Sequence, residues 1–397
     1  MSDASDHSAQ SRRRILKKLG TVTTSTLFTT QIGTASGEGA RSRSNTPVDA
    51  PDELEGATRL IPAQPGAGFN YPYFLYTPPL INDGARPILV EPNNTGTTSD
   101  DFSLHRREAR DLIENGFPRL ISTELRVPAL VPVFHRPTSD PVHWRHVIHS
   151  LDRDTIQIDS GPLERVDKQL IKMIEHAQSL LKNRGYPLVE KVLLNGFSSS
   201  GEFVNRFTAL HPELVKSVTA GGINGMVILP RDSAKGETLN YHLGIADLKE
   251  LTGSTFDRDA FVEVPQLIYM GAASEHDTLP NEDTWDQPLK QKAYTVYGED
   301  MQDDRFPYCE SVYQEAGSDA EFRLYDGVGH RISDKMQRDV VEFHRKQLDG
   351  DYSDISLPAV IDHVTGVDWA GEAVSAAAVG SLAAGGIGYY LKDRWQE

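Results

Sequence analysis

Apolar positions along the chain follow two periods in alternation. Short, nearly unbroken runs occur at 71–77 (YPYFLYT), 87–91, 129–134, 191–194 (KVLL), 217–222, 264–270 (VPQLIYM) and 322–325. Their length and aromatic or branched content predict buried strands. Between them the apolar residues recur every three or four positions. Phe102, His105, Ala109, Leu112 and Ile113 line one face of a helix over 101–115, which Gly116 ends. Leu163, Val166, Leu170, Met173, Ile174, Ala177 and Leu181 do the same over 163–183, Phe203, Phe207 and Leu210 over 200–211, and Ile332, Met336, Val340 and Phe343 over 332–348. Residues 306–317 also read as helix, and 119–123 as one more short strand. Such alternation predicts an α/β fold: a mostly parallel central sheet with helices on both faces. The stretch 223–260 breaks the rhythm with a polar segment and a brief helical pattern at 245–251. It is expected to form a cap insertion.

One junction in this pattern carries chemistry. The run 191–194 leads through Asn195-Gly196-Phe197 into Ser198-Ser199-Ser200-Gly201 and straight into a helix. A serine at the apex of a tight strand-to-helix turn projects its hydroxyl above the sheet edge, near the positive end of the helix. Counting from Gly196 makes Ser198 that residue. Counting back from Gly201 makes it Ser199. The small residue two places before favours Ser198.

A serine hydroxyl is a weak nucleophile near neutral pH, so it needs a base, and the base needs an orienting acid. His330 follows the last strand on a flexible turn, Asp326-Gly327-Val328-Gly329, and is the expected base. The acid should follow the strand that ends at Met270. Asp277 is preferred by its place in the chain between serine and histidine, with Glu275 and then Asp283 as alternatives. Charge developing on a carbonyl oxygen needs hydrogen-bond donors. The backbone N–H of Ser199 is one. Asn94 or Thr95, in the turn after an early strand, should supply the other.

Composition narrows the field. The chain has 397 residues and a formal net charge of -17, with no basic patch in its body, which argues against a nucleic-acid partner and suits solubility in high salt. Its single cysteine, Cys309, excludes an intramolecular disulfide. The segment 135–162 holds His135, His143, His146 and His149, but no cysteine and no diagnostic carboxylate spacing accompany them. It is expected to be a loop near the mouth of the site, with no metal and no cofactor bound.

The two ends have their own character. Arg12-Arg13-Arg14-Ile15-Leu16-Lys17 before a weakly apolar, threonine-rich stretch matches a twin-arginine export leader over 1–35, with a Gly/Ser/Pro linker over 36–55. That implies the export machinery as a partner and an extracellular or cell-surface location. The main domain is expected over 56–350. In the tail, 351–397, the uncharged stretch 373–391 has about the length of a membrane span, and Tyr389, Tyr390, Lys392, Arg394 and Trp395 stand at its end as interfacial anchors would.

With NGFSSSG at the turn and YDGVGH at the histidine, the chain from 71 to 348 resembles the α/β-hydrolase superfamily, and its turn region is similar to secreted esterases and polyester depolymerases. The resemblance implies acyl-ester hydrolysis through Ser198 and His330 on a small or polymeric ester, without a cofactor. It departs from the superfamily pattern at Ser200, where a glycine is usual, and at Ser274, where many relatives carry the acid. A serine peptidase and a non-catalytic surface-binding protein are the alternative readings.

Overall fold

The computed structural model describes residues 56–348 apart from 80–83, 97, 140–147 and 281–284. The expected leader, linker and tail, with its segment 373–391, lie outside the described residues, as do Asp283, His143 and His146.

Eight strands form the main sheet: β1 (Thr58–Ile61), β2 (Tyr73–Tyr76), β3 (Leu89–Val90), β4 (Ala129–Pro132), β5 (Val192–Phe197), β6 (Val215–Gly221), β7 (Gln266–Gly271) and β8 (Glu321–Tyr325). Their order across the sheet is β1-β2-β4-β3-β5-β6-β7-β8. β2 runs antiparallel to both its neighbours, and every other pairing is parallel. An open, mostly parallel sheet in this order, with a serine elbow after the fifth strand, is the α/β-hydrolase fold.

Parallel neighbours require a crossover between them, so the carboxyl ends of β3 to β8 all meet one edge. The loops after β3, β5, β7 and β8 therefore converge without any special pleading. Successive residues of each strand serve opposite faces. Leu193 packs with helices Phe102–Asn115, Phe117–Leu125 and Asp334–Lys346, whereas Leu194 packs with Val166–Lys182, Ser199–Leu210 and Phe306–Ala316. All six residues of β5 are buried, which is why its sequence reads as a continuous run rather than an alternation.

One reading of the pattern needs correction, and two elements were not read from it. Residues 119–123 belong to the helix Phe117–Leu125, because Phe117, Ile121 and Leu125, each four apart, all go into the core. β1 and the helix Gln287–Tyr297 carry too few buried apolar positions to stand out in the sequence. Pro132 fits its strand because it ends it. Between β6 and β7 the chain forms a two-stranded ribbon, Ser233–Ala234 with Glu237–Thr238, and helices Leu248–Thr252 and Arg258–Glu263. The hydroxyl of buried Tyr313 ties this region down by donating to Ile228 O at 3.0 Å, and that of Tyr297 by donating to Leu243 O at 2.7 Å.

Candidate active site

Ser198 stands at the apex between β5 and helix Ser199–Leu210, with φ 60° and ψ -130°. A side chain at positive φ is strained, and such strain gathers at functional sites. The turn is held by main-chain bonds: Ser198 N–H donates to Gly221 O at 2.8 Å, and Glu202 N–H to Ser198 O at 3.0 Å. Two glycines make it possible. A Cβ on Gly196 would lie 2.2 Å from Ser200 O, and one on Gly201 would lie 2.6 Å from Gly221 O. The helix thus starts against the backbone of β6, and the close approach occurs at Gly201. Ser200 is tolerated in the usual glycine place because its hydroxyl is used locally, donating to Phe197 O at 2.9 Å and accepting from Phe197 N–H at 3.0 Å.

Of the expected oxyanion donors, Ser199 opens the helix, so its N–H has no intrahelical partner. The loop after β3 divides the other two. Thr95 N–H donates to His149 Nδ1 at 3.1 Å, so it is turned into the protein. Asn94 lines the cavity beside Ser198, and its Nδ2 donates to Phe197 O at 3.1 Å. His149 is fully buried, and burial, with Arg136 close by, holds its imidazole well below the usual histidine range. Its neutral ring accepts at Nδ1 and donates from Nε2 to Phe134 O at 3.0 Å. The side chain of Asn93 brackets the same carbonyl, donating to Phe134 O at 3.0 Å and accepting from Phe134 N–H at 2.9 Å. His149 and Asn93 therefore fix the loop that carries Asn94. Nothing in the sequence distinguished His149 from its neighbours in a histidine-rich stretch. His105 and His135 approach its ring region but bond to Ser99 O, at 3.1 and 2.8 Å.

His330 packs on Phe197, the residue before the serine, with ring centroids 5.0 Å apart, and its Cε1 lies 3.1 Å from where a Cβ on Gly222 would stand. His276 stacks on it at 4.2 Å and 29° and faces the cavity with Ser198. The loop after β7 lies against the His330 turn through Ala273 N–H donating to Val328 O at 2.9 Å. Within that loop Glu275 is exposed. Asp277 accepts from Arg305 Nη1 at 2.8 Å and from Leu279 N–H at 3.0 Å. Arg305 is fully buried, and its other donors reach the carbonyls of Asn224, Gly298 and Glu299. Asp277 is thus the counter-charge of a buried guanidinium.

The cavity over Ser198 has a volume of about 210 Å³. Asn94, Ser199, Gly222 and His276 line it beside Ser198, together with Arg136, Asp152, Glu202 and Arg206.

A polar chain crosses the core below the elbow. Ser217 Oγ donates to His344 Nδ1 at 2.9 Å, His344 Nε2 to Thr219 Oγ1 at 3.1 Å, Thr219 to Asn195 Oδ1 at 2.6 Å, and Asn195 Nδ2 to Glu91 Oε2 at 2.5 Å. This direction is assigned from the one arrangement of protons that satisfies every step. Burial pushes His344 down to about 3, so the ring is neutral. Burial pushes Glu91 up to about 8, against the hydrogen bond from Asn195 that lowers it. The hydroxyl of Tyr269, which that carboxyl also influences, is buried without a hydrogen-bond partner among the described residues.

No family model and no curated protein matched the chain. Among solved structures, it is similar to a poly(3-hydroxybutyrate) depolymerase, LpqC, from Bordetella parapertussis, with 17% identity over 76% of this chain and 93% of that one, at a TM-score of 0.49. It is also similar to poly(aspartic acid) hydrolase-1 from Sphingomonas sp. KT-1, with 17% identity over 74% and 98%, at 0.47. An S-formylglutathione hydrolase from Agrobacterium tumefaciens follows with 15% identity over 73% and 94%, at 0.42. At these values the fold is established by strand order and elbow, not by the likeness.

Proposed function

We propose that the chain is a serine hydrolase that cleaves carboxylic esters through an acyl-enzyme. The observation that carries this reading is Ser198, held at φ 60° on the apex of the elbow and facing a cavity. Arg126 and Arg165 also have positive φ, but in the ordinary left-handed helical region, whereas Ser198 with ψ -130° lies outside it, where the strain is greater. In the proposed reaction His330 takes the hydroxyl proton of Ser198 as its Oγ attacks the carbonyl carbon. The oxyanion is met by Ser199 N–H and by Asn94 in the loop after β3. As the tetrahedral species collapses, His330 returns the proton to the leaving alcohol. Water, deprotonated by the same histidine, then releases the acid. The carboxylate that orients His330 comes from the chain after β7, where Asp277, Glu275 and Asp283 are the candidates. The leader over 1–35 and the segment 373–391 extend the proposal to an exported, surface-held enzyme.

Labelling with a fluorophosphonate followed by peptide mapping tests it. The label is expected on Ser198 and absent in Ser198→Ala. Ser199→Ala keeps its backbone N–H and should lose only part of its p-nitrophenyl acetate hydrolysis. Label on Ser199 would move the nucleophile by one residue, and no label at all would favour a binding protein built on a hydrolase fold.

A further inference from the structure

Ligand cavities are mostly lined by apolar and aromatic side chains, with a few placed polar groups. The cavity over Ser198 is more polar than that, with several charged side chains in its wall. Among the described residues, no alanine, valine, leucine, isoleucine, methionine or phenylalanine lines it. Among the described residues its largest apolar side chain is Trp285, which is buried, with its indole N–H directed to Thr278 Oγ1 at 3.3 Å. The wall also presents Asp152 and Glu202 together with Arg136 and Arg206, two acidic and two basic side chains.

Asp152 is held by Thr155, whose N–H and hydroxyl donate to its Oδ1 at 2.8 and 2.6 Å; the other three are fixed as well. Glu202 accepts from Asn224 Nδ2 at 2.8 Å, and its other oxygen lies 3.4 Å from Arg206 Nη1, which itself donates to Ser150 O at 2.7 Å. Arg136 Nη1 donates to Thr95 O at 3.1 Å, while its buried Nε has no hydrogen-bond partner among the described residues. An alkyl group in this space would strip water from ionised side chains and return no hydrogen bond, which is costly. A charged group would meet its own sign as often as the opposite one. A hydroxyl both donates and accepts, so it satisfies either kind of neighbour. The volume equals that of about seven waters, enough for one small ring or a short polyol.

We infer that the cavity takes an uncharged, hydroxyl-rich group, so that the substrate is the ester of a polyol or sugar, or of a hydroxylated acid, and not of an alkyl chain. The inference rests on the ester-hydrolase reading for its chemistry, though not for its binding. Two substrate series separate the sources. In the alcohol series, glycerol monoacetate and an acetylated methyl xyloside are compared with butyl and cyclohexyl acetate. In the acyl series, ethyl glycerate is compared with ethyl butyrate. A site built for hydroxyls should favour the hydroxylated member of one series by about 100-fold or more in kcat/KM. Glu202→Leu should collapse that ratio, with the gentler Glu202→Gln reducing it if the leucine variant fails to fold. Equal rates, or an alkyl preference in both series, would overturn the inference. Saturation-transfer NMR of Ser198→Ala with methyl xyloside, glycerol and cyclohexanol reads binding alone. Polyol binding beside wild-type protein that turns over no ester would sink the hydrolase reading and keep the cavity assignment. Cyclohexanol binding in place of polyol binding would sink the assignment.

Discussion

Replacing Glu91 by glutamine should make the protein more stable at neutral pH. Glu91 is 2% exposed, and burial pushes its carboxyl from 4.5 up to about 8. In the unfolded chain the proton leaves near the ordinary value, while in the folded protein it stays until about pH 8. The stabilisation from holding that proton is therefore complete below pH 4.5 and is lost as the pH rises to 8. Each pH unit in the window is worth about 1.4 kcal/mol, so some 3 kcal/mol, on the order of a third of a typical domain's stability, is gone by pH 7. Glutamine is nearly isosteric, still accepts from Asn195 Nδ2 and has no proton to lose. His344 titrates in the opposite sense, since a ring held down at about 3 contributes stability that is lost as the pH falls below the usual histidine range. It is common to both proteins and cancels in the difference. Urea unfolding followed by circular dichroism at pH 5, 6, 7 and 8 gives the comparison directly. The gap between Glu91→Gln and wild type should widen with each step in pH by an amount on the order of 1 kcal/mol. A gap that stays flat would mean that Glu91 ionises normally, and would refute the argument.

Asp277→Asn should lower stability by about 2–3 kcal/mol in urea, because it leaves the buried Arg305 without its counter-charge; kcat on one short ester, measured beside Glu275→Gln, then tells whether Asp277 also orients His330. Ser198→Gly should abolish ester cleavage yet gain about 1 kcal/mol by relieving the positive φ, visible as a higher Tm. Arg12→Lys with Arg13→Lys keeps the charge and should strand the protein inside the cell; unchanged secretion, followed by immunoblot of the medium, would discard the twin-arginine reading.

The sheet and its order of strands and helices were legible because buried parallel strands and one-sided helices leave different periods in the sequence. Failures came where burial was thin or the window short. Residues 119–123 taken alone resemble a strand, and only Phe117 and Leu125 on either side disclose the four-residue spacing. The elbow was legible for the same reason as the fold, since strand, turn and helix are contiguous. What was not legible is contact across the chain. Thr95 looks like any turn residue until His149, 54 positions away, takes its N–H. Asp277 looks like a loop carboxylate until Arg305 arrives from 28 residues downstream. Likewise only half of the charged cavity wall is local: Glu202 and Arg206 lie one turn apart on the helix Ser199–Leu210, whereas Arg136 and Asp152 come from other parts of the chain.

The contact between Gly201 and the backbone of β6 has a consequence for how this protein can change over time. Where a side chain wedges a helix onto a sheet, every substitution in that side chain shifts the helix. Here the helix that follows Ser198 rests on main-chain atoms, and the position of that serine is referenced to the sheet itself. Phe203 and Phe207, farther along, supply cohesion without setting that reference. Substitutions in the core can therefore alter how tightly the domain holds together while the serine keeps its place. The reverse holds for Gly196 and Gly201, which bury almost nothing and leave the lineage no latitude.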